Sequence, residues 1–138
     1  MSSLINSSRS QVLVVGGGMA GFMLGLTLAK QGMAVTIVDR EPASSVLSRS
    51  YDGRASAIAH ASANIFKSMG LWESLEDAAS PIFDIRVADG HPLRGISPLF
   101  LHYDHPDLCD EPFGYIIENL AIREALHADG NRTPGLQI

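Results

Sequence analysis

The chain has 138 residues, a formal net charge of −5 and a hydrophobic fraction of 46%, the composition of an ordinary globular domain. It contains no run of Lys or Arg, so the sequence does not support a nucleic-acid-binding surface. The single cysteine, Cys109, excludes a disulfide framework within the chain and is typical of a reducing, cytoplasmic compartment. Residues 1–10 hold five serines and no apolar period, and we predict a disordered lead-in there.

The stretch Gln11–Arg40 predicts a dinucleotide-binding βαβ unit. Gln11–Val15 is a β-branched run typical of a buried parallel strand, and Ala34–Val38 predicts a second strand. Between them a G-x-G-x-x-G pattern opens an apolar helix that ends near Gln31, where Gly32 supplies the stop. This order of strand, glycine-rich turn, helix and strand is much more specific than the glycine pattern alone.

Each part of the glycine-rich turn has a physical role. Gly16 allows the tight turn after the strand, Gly18 lets the backbone approach a pyrophosphate, and Gly21 lets the helix pack against the strands. Met19 and Ala20 lie in the first helical turn, where unpaired N–H groups and the positive end of the helix dipole favour phosphate. We predict that these five residues contact a dinucleotide.

Asp39 and Arg40 complete the predicted nucleotide site. Asp39 lies 23 residues after Gly16, at the carboxyl end of the second predicted strand. A carboxylate at that distance accepts hydrogen bonds from the hydroxyl groups of a ribose. The neighbouring Arg40 is included in the predicted site.

A membrane span or a signal peptide is the competing interpretation of Val12–Ala29, which has 18 residues without a charge. Three successive glycines would break such a helix in its first third. No small-residue cleavage site is evident, and the second strand and Asp39 follow at the expected distance. The sequence therefore favours the nucleotide site.

Beyond Arg40 the sequence predicts a loop, a helix and a short amphipathic turn. Pro42 and four serines indicate a loop over Glu41–Asp52. An apolar stripe predicts a helix over Arg54–Met69, and the amphipathic turn covers residues 71–79. Pro81 is predicted to break the chain.

An antiparallel β insertion is predicted from about residue 81 to residue 118. Ile82–Ala88 alternates between apolar and polar residues, and Asp89-Gly90 is a turn signal. Ile96–Tyr103 predicts the returning strand, which Pro98 restricts to a sheet edge.

The chain then returns to helix and strand. Tyr115–Glu118 predicts a strand, Asn119 can cap a helix that extends to about Asp129, and Gly135–Ile138 begins another strand. We therefore expect an α/β, Rossmann-like fold with a β insertion and an incomplete sheet, as in the amino-terminal part of a longer protein. The nucleotide-binding domain would cover residues 11–80 and 119–138, and the insertion residues 81–118.

Two arginines are further candidates for cofactor contacts. Arg54 lies at a predicted helix start, where a cation opposes the helix dipole and a nearby pyrophosphate would stabilise it. Pairing with Asp52 or Glu41 in solvent explains Arg54 equally well. Arg123, early in the Asn119 helix, has the simpler interpretation of an exposed helix charge.

No metal ligand and no catalytic side chain is predicted. The polar stretch His102–Glu111 contains His, Asp and Cys residues, but their spacing matches no zinc pattern. Carboxylates flank Cys109 and disfavour its thiolate, so it is a poor nucleophile.

Six motifs follow one another between Gln11 and Leu126: V-V-G-G-G-M-A-G, I-V-D-R, D-G-R-A-S-A-I, M-G-L-W-E-S-L, I-R-V-A-D-G and G-Y-I-I-E-N-L-A-I-R-E-A-L. In this order they resemble the FAD-dependent aromatic hydroxylases of ubiquinone biosynthesis. Those enzymes belong to the flavin monooxygenases that include para-hydroxybenzoate hydroxylase. The departures are small: Asp39 stands where the family often has Glu, and Ile122 where a larger choice is tolerated.

The resemblance implies FAD as the cofactor, NAD(P)H as co-substrate, and hydroxylation by O₂ of an aromatic ring, here a polyprenylated phenol. The cofactor carries that chemistry. This segment alone is expected to bind FAD weakly, if at all, and not to hydroxylate. The implied contacts are the pyrophosphate for Gly16, Gly18 and Gly21, the adenosine ribose for Asp39, the diphosphate or ribityl region for Arg54, and the ribityl–phosphate side for Arg123.

Two other functions stay open on the sequence: another flavoprotein with two dinucleotide folds, such as an amine oxidase or a halogenase, and an NAD-binding module. A polyprenyl substrate would also imply a cytoplasmic protein that associates peripherally with the inner membrane, or with other enzymes. The chain shows no basic amphipathic helix that would mediate such membrane contact.

Overall fold

The computed structural model describes residues 9–47, 53–93, 95–104 and 111–138. Most of the predicted lead-in, the end of the predicted loop after Leu47, and Cys109 lie outside these residues. None of the helices in the described ranges has both the length and the apolar character needed to cross a membrane. The chain forms two compact units, a first unit of residues 1–52 and 120–138 and a second unit of residues 53–119.

Helices and strands alternate from the first strand to the third helix, and two short 3-10 turns, four successive strands, a last helix and a last strand follow. In chain order they are β1 (Val12–Val15), α1 (Met19–Lys30), β2 (Val35–Val38), α2 (Ala43–Leu47), β3 (Ala55–Ala59), α3 (His60–Ser68), the 3-10 turns Trp72–Ser74 and Glu76–Ala78, β4 (Ser80–Ile82), β5 (Asp84–His91), β6 (Gly95–Asp104), β7 (Gly114–Glu118), α4 (Asn119–Gly130) and β8 (Leu136–Gln137).

The first unit contains a three-stranded parallel sheet in the order β1-β2-β8. β1 pairs with β2 in parallel register from Val12 opposite Val35 to Val15 opposite Val38. β2 pairs in parallel with β8 on its other side. The predicted βαβ start and the predicted last strand are therefore confirmed.

Apolar side chains from α1, β2 and α4 form the buried part of the first unit. The fully or almost fully buried ones are Phe22, Leu26, Val35, Ile37, Ile122 and Leu126. Each such side chain contributes about 1.5–3 kcal/mol when it is removed from water. His127 of α4 is also buried, with its ring centroid 4.4 Å from that of Phe22. The Lys30 ammonium and the Asp129 carboxylate, 2.5 Å apart, form an ion pair between the two helices.

The second unit contains a three-stranded antiparallel sheet in the order β3-β7-β4. The central strand β7 carries Ile117, which is fully buried, as are Leu71 and Leu75. Pro81 was predicted to break the chain, and this prediction is wrong. It lies in the edge strand β4 opposite Tyr115, and an edge strand tolerates proline because one side of it makes no ladder.

The prediction of one helix over residues 54–69 is wrong in its first half. Residues 55–59 form β3, which pairs with β7 from Ala55 opposite Glu118 to Ala59 opposite Gly114, and α3 begins only at His60. A pairing partner about sixty residues away leaves no trace in the local apolar period. Arg54 therefore precedes a strand, and the helix-dipole argument for it does not apply. The predicted loop after Glu41 similarly contains the short helix α2.

The remaining part of the second unit is a two-stranded antiparallel hairpin of β5 and β6. The returning strand is confirmed, but the turn predicted at Asp89-Gly90 is wrong. β5 continues to His91, which pairs with Gly95, and the register shifts between Ala88 and Gly90. Gly90, which suggested a turn, thus lies at an irregularity inside the strand pairing.

The two units divide the chain differently from the predicted domains, because residues 53–80 join the second unit. The division into a nucleotide-binding domain at residues 11–80 and 119–138 and an insertion at residues 81–118 stays a prediction for the complete protein.

Candidate functional site

The turn between β1 and α1 holds two backbone segments unusually close together. Gly16 has φ +108°, a conformation that residues with a side chain rarely adopt, and its N–H donates to the Val38 carbonyl at 2.8 Å. A Cβ atom at Gly21 would lie 2.0 Å from the Gly16 carbonyl oxygen. Only glycine at both positions lets the start of α1 lie directly against the end of β1.

The amino terminus of α1 presents backbone donors. Gly18 precedes the helix with extended backbone (φ −66°, ψ 173°) and offers no side-chain cap, and the first turn contains no acidic residue. The first N–H groups of a helix lack intrahelical partners. Within the described ranges no protein group accepts a hydrogen bond from the N–H of Met19, Ala20 or Gly21. Such a helix start, with open space beside Gly18, suits a phosphate group.

Asp39 places a carboxylate against this turn. Its Oδ2 accepts a hydrogen bond from the Gly17 N–H at 2.5 Å, and its Oδ1 accepts one from the Glu41 N–H at 2.9 Å. The hydrogen bond from Glu41, followed by that from Gly17, holds the pKa of the Asp39 carboxyl below its ordinary value. The group is therefore ionised at neutral pH, as a ribose-binding carboxylate needs to be.

An open depression of about 450 Å³ lies at the carboxyl ends of β1 and β2. Val15 and Val38 give it an apolar surface, with 81% and 41% of their area exposed. Gly16, Asp39 and Arg40 complete its lining. Ligands of open α/β sheets bind in this position, outside the carboxyl ends of the strands. The residues present therefore fit the adenosine diphosphate half of a dinucleotide.

The structure brings most of the predicted site residues together. Gly16, Asp39 and Arg40 line the depression, whereas Gly18, Met19, Ala20 and Gly21 form the adjoining start of α1. The two remaining arginines do not line it. Arg123 is partly buried on α4, in the first unit, and Arg54 belongs to the second unit, where its carbonyl accepts a hydrogen bond from the Asn119 N–H. Their assignment as cofactor contacts stays a prediction.

Sequence reasoning missed three residues of this site. Val15 and Val38 are the last residues of their strands. Their position at the strand ends could have predicted that they line the depression. Gly17 stands at a variable position of the G-x-G-x-x-G pattern, where no particular residue is expected. Its N–H holds Asp39, and a Cβ atom there would lie 3.2 Å from the Asp39 Cβ. No local signal in the sequence indicates this contact across 22 residues.

Comparison with known proteins is consistent with this geometry. Residues 9–121 match the family profile described as FAD binding domain, and the chain belongs to that family. It is 42% identical over 129 residues to the ubiquinone hydroxylase UbiL of Rhodospirillum rubrum, a match that covers 94% of this chain and 29% of the relative. It is 36% identical over 126 residues to the ubiquinone hydroxylase UbiM of Neisseria meningitidis, covering 88% and 26%. The predicted resemblance to ubiquinone-biosynthesis hydroxylases is confirmed.

Solved structures of low sequence identity share the fold. The p-nitrophenol 4-monooxygenase PnpA from Pseudomonas putida superimposes with a TM-score of 0.68 at 22% identity, over 92% of this chain and 30% of that protein. The chain thus spans less than a third of the length of each of these proteins.

Proposed function

We propose that this chain is the amino-terminal FAD-binding part of an NAD(P)H- and O₂-dependent monooxygenase that hydroxylates an aromatic ring, a polyprenylated phenol of ubiquinone biosynthesis. The observation that carries the proposal is a glycine turn next to an ionised carboxylate at the following strand end. The first helix N–H groups beside that turn have no acceptor among the described residues. Membership of the FAD-binding family and the names of the relatives support the cofactor and the substrate class.

In this proposal the first unit binds the adenosine diphosphate half of FAD. The N–H groups at the start of α1 hold the pyrophosphate, which approaches them beside Gly18. Asp39 accepts hydrogen bonds from the ribose. A carboxylate can accept about four hydrogen bonds, and two backbone N–H groups use only two of them. Val15 and Val38 provide apolar surface for the adenine, and Arg40 lies at the rim of the depression.

When bound, FAD supplies the redox chemistry, which is a property of the cofactor. The residues of this chain bind and orient it, and none of them is assigned a catalytic role. We propose that Arg54 and Arg123 contact its diphosphate and ribityl–phosphate region. The remainder of a complete, doubly wound Rossmann-like protein would supply part of the isoalloxazine pocket and most of the substrate site. A polyprenyl substrate lies in the lipid bilayer. We therefore also propose that the protein is cytoplasmic and associates peripherally with the inner membrane.

The complete protein tests the proposal. We expect purified protein to be yellow, to release FAD on denaturation, and to oxidise NAD(P)H with formation of hydroxylated product when a polyprenylated phenol is added. Colourless protein that binds NAD but not FAD would instead support an NAD-binding module. Bound flavin combined with oxidation of amines, or halogenation, would support a different flavoprotein.

A further inference from the structure

Asp39 makes contacts that a purely ribose-binding residue does not need. Its two carboxylate oxygens accept hydrogen bonds from two different backbone segments, the glycine turn at Gly17 and the segment after β2 at Glu41. Gly17 lies between Gly16, whose backbone is left-handed, and Gly18, which begins the phosphate-facing stretch. The carboxylate therefore holds the middle of the turn.

The fit between the turn and Asp39 is close. A Cβ atom at Gly17 would lie 3.2 Å from the Asp39 Cβ and 3.4 Å from its Oδ2, so the peptide backbone lies against the side chain. A hydrogen bond from a backbone N–H to an ionised carboxylate is stronger than one between neutral groups. Fixing the Gly17 peptide also restricts the orientation of the next peptide groups, which lead into the start of α1.

We propose that Asp39 is a positioning residue for the diphosphate-binding turn, in addition to its contact with the ribose. This inference rests on the proposed function, because it assigns a second task to a residue of the same cofactor site. A turn that is already held in its binding conformation loses less conformational freedom on binding, and the affinity for the diphosphate rises accordingly.

The substitution Asp39→Asn, tested with two different ligands, separates the two tasks. An amide has one acceptor oxygen, so only one of the two backbone donors at Gly17 and Glu41 keeps its partner and the other faces an NH₂ group. The turn loses its charged anchor while the size of the side chain is almost unchanged. The substitution also weakens the contact with the ribose. A ligand without ribose hydroxyls is therefore needed to measure the effect on the turn alone.

The experiment uses the complete protein freed of flavin, with ADP and 2′,3′-dideoxy-ADP as competitors of FAD, followed by flavin fluorescence. Dideoxy-ADP keeps the diphosphate but lacks both ribose hydroxyls. We expect Asp39→Asn to weaken dideoxy-ADP binding by about tenfold or more, the typical effect of a lost charge-assisted hydrogen bond. The loss for ADP should be at least as large. Unchanged affinity for dideoxy-ADP, with a loss confined to ADP, would overturn the inference and leave Asp39 with the ribose alone.

The matched control is Asp84→Asn, the same substitution in the hairpin of the second unit, where the carboxylate pairs with His102 and Arg86. We expect it to leave both affinities unchanged.

Thermal unfolding of each apoprotein shows whether the variants are folded. If Asp39→Asn is not, Asp39→Glu gives the same comparison: equal losses for both ligands support the inference, and a loss confined to ADP overturns it. A wild-type protein that binds neither FAD nor ADP would overturn the proposed function itself.

Discussion

The β1–α1–β2 segment of the first unit and the β5–β6 hairpin of the second unit show opposite packing. In the first, a Cβ atom at Gly21 would lie 2.0 Å from a backbone carbonyl oxygen, whereas one at Gly90 in the hairpin would have no described atom within 4 Å. Phe22 and Leu26 of α1 are buried, while every residue of β5 is exposed. The backbone of the glycine turn is thus fixed by the contact between the end of β1 and the start of α1. The hairpin depends on strand pairing, which is marginal in a two-stranded sheet.

The largest difference between the two regions is expected for the same substitution at two glycines. Gly21→Ala forces the start of α1 away from Gly16, and we expect the free energy of unfolding to fall by about 1–3 kcal/mol, as in other overpacked sites. FAD affinity should fall with it. Gly90→Ala should change stability by no more than about 1 kcal/mol. Urea unfolding of both variants of the complete protein measures these values. Equal destabilisation would contradict the packing contrast.

A smaller effect is expected from pH, through His127. Burial against Phe22 lowers the pKa of His127 below its ordinary value of 6.5. Between the two values the unfolded chain binds the proton and the folded chain does not, so stability falls as pH drops below 6.5 and is unaffected well above it. His127→Leu should therefore reduce the loss of thermal stability between about pH 7.5 and about pH 5.5.

The control for this pH dependence is His91→Leu, because His91 is an exposed residue of the hairpin. We expect that variant to keep the wild-type slope of melting temperature against pH. A His127→Leu variant with the same slope as wild type would show that another group causes the acid sensitivity of the first unit.

The smallest effect is expected at the ion pair between α1 and α4. Lys30 and Asp129 approach to 2.5 Å, but their side chains keep 28% and 23% of their surface in solvent. Partly exposed pairs of this kind contribute about 0–1 kcal/mol and are screened by salt. Lys30→Met should therefore lower stability by no more than about 1 kcal/mol at low salt, and by less at high salt. A salt-independent loss above about 2 kcal/mol would mean that the Asp129 carboxylate, left without its partner, is held away from water.

The contrast between the regions also explains what the sequence could predict. The βαβ start was predictable because its signals are local: β-branched runs, successive glycines and an acid at a fixed distance. β3 was not, because Ala55–Ala59 becomes a strand only through pairing with β7 about sixty residues later. Asp39 was assigned to the ribose from its spacing, yet its contact with Gly17 depends on the tertiary approach of two segments. The same limit applies to Arg54 and Arg123, which no local pattern places near a cofactor.

The central claim is that the glycine turn binds the FAD diphosphate, and Gly18→Val in the complete protein tests it most directly. A Cβ atom at Gly18 would have no atom of the described residues within 4 Å, and the φ of −66° suits any residue, so the apoprotein should unfold at nearly the wild-type temperature. The same side chain would occupy the space proposed for the phosphates, and we predict that the folded variant retains no FAD. A folded Gly18→Val protein with wild-type flavin content would contradict the account.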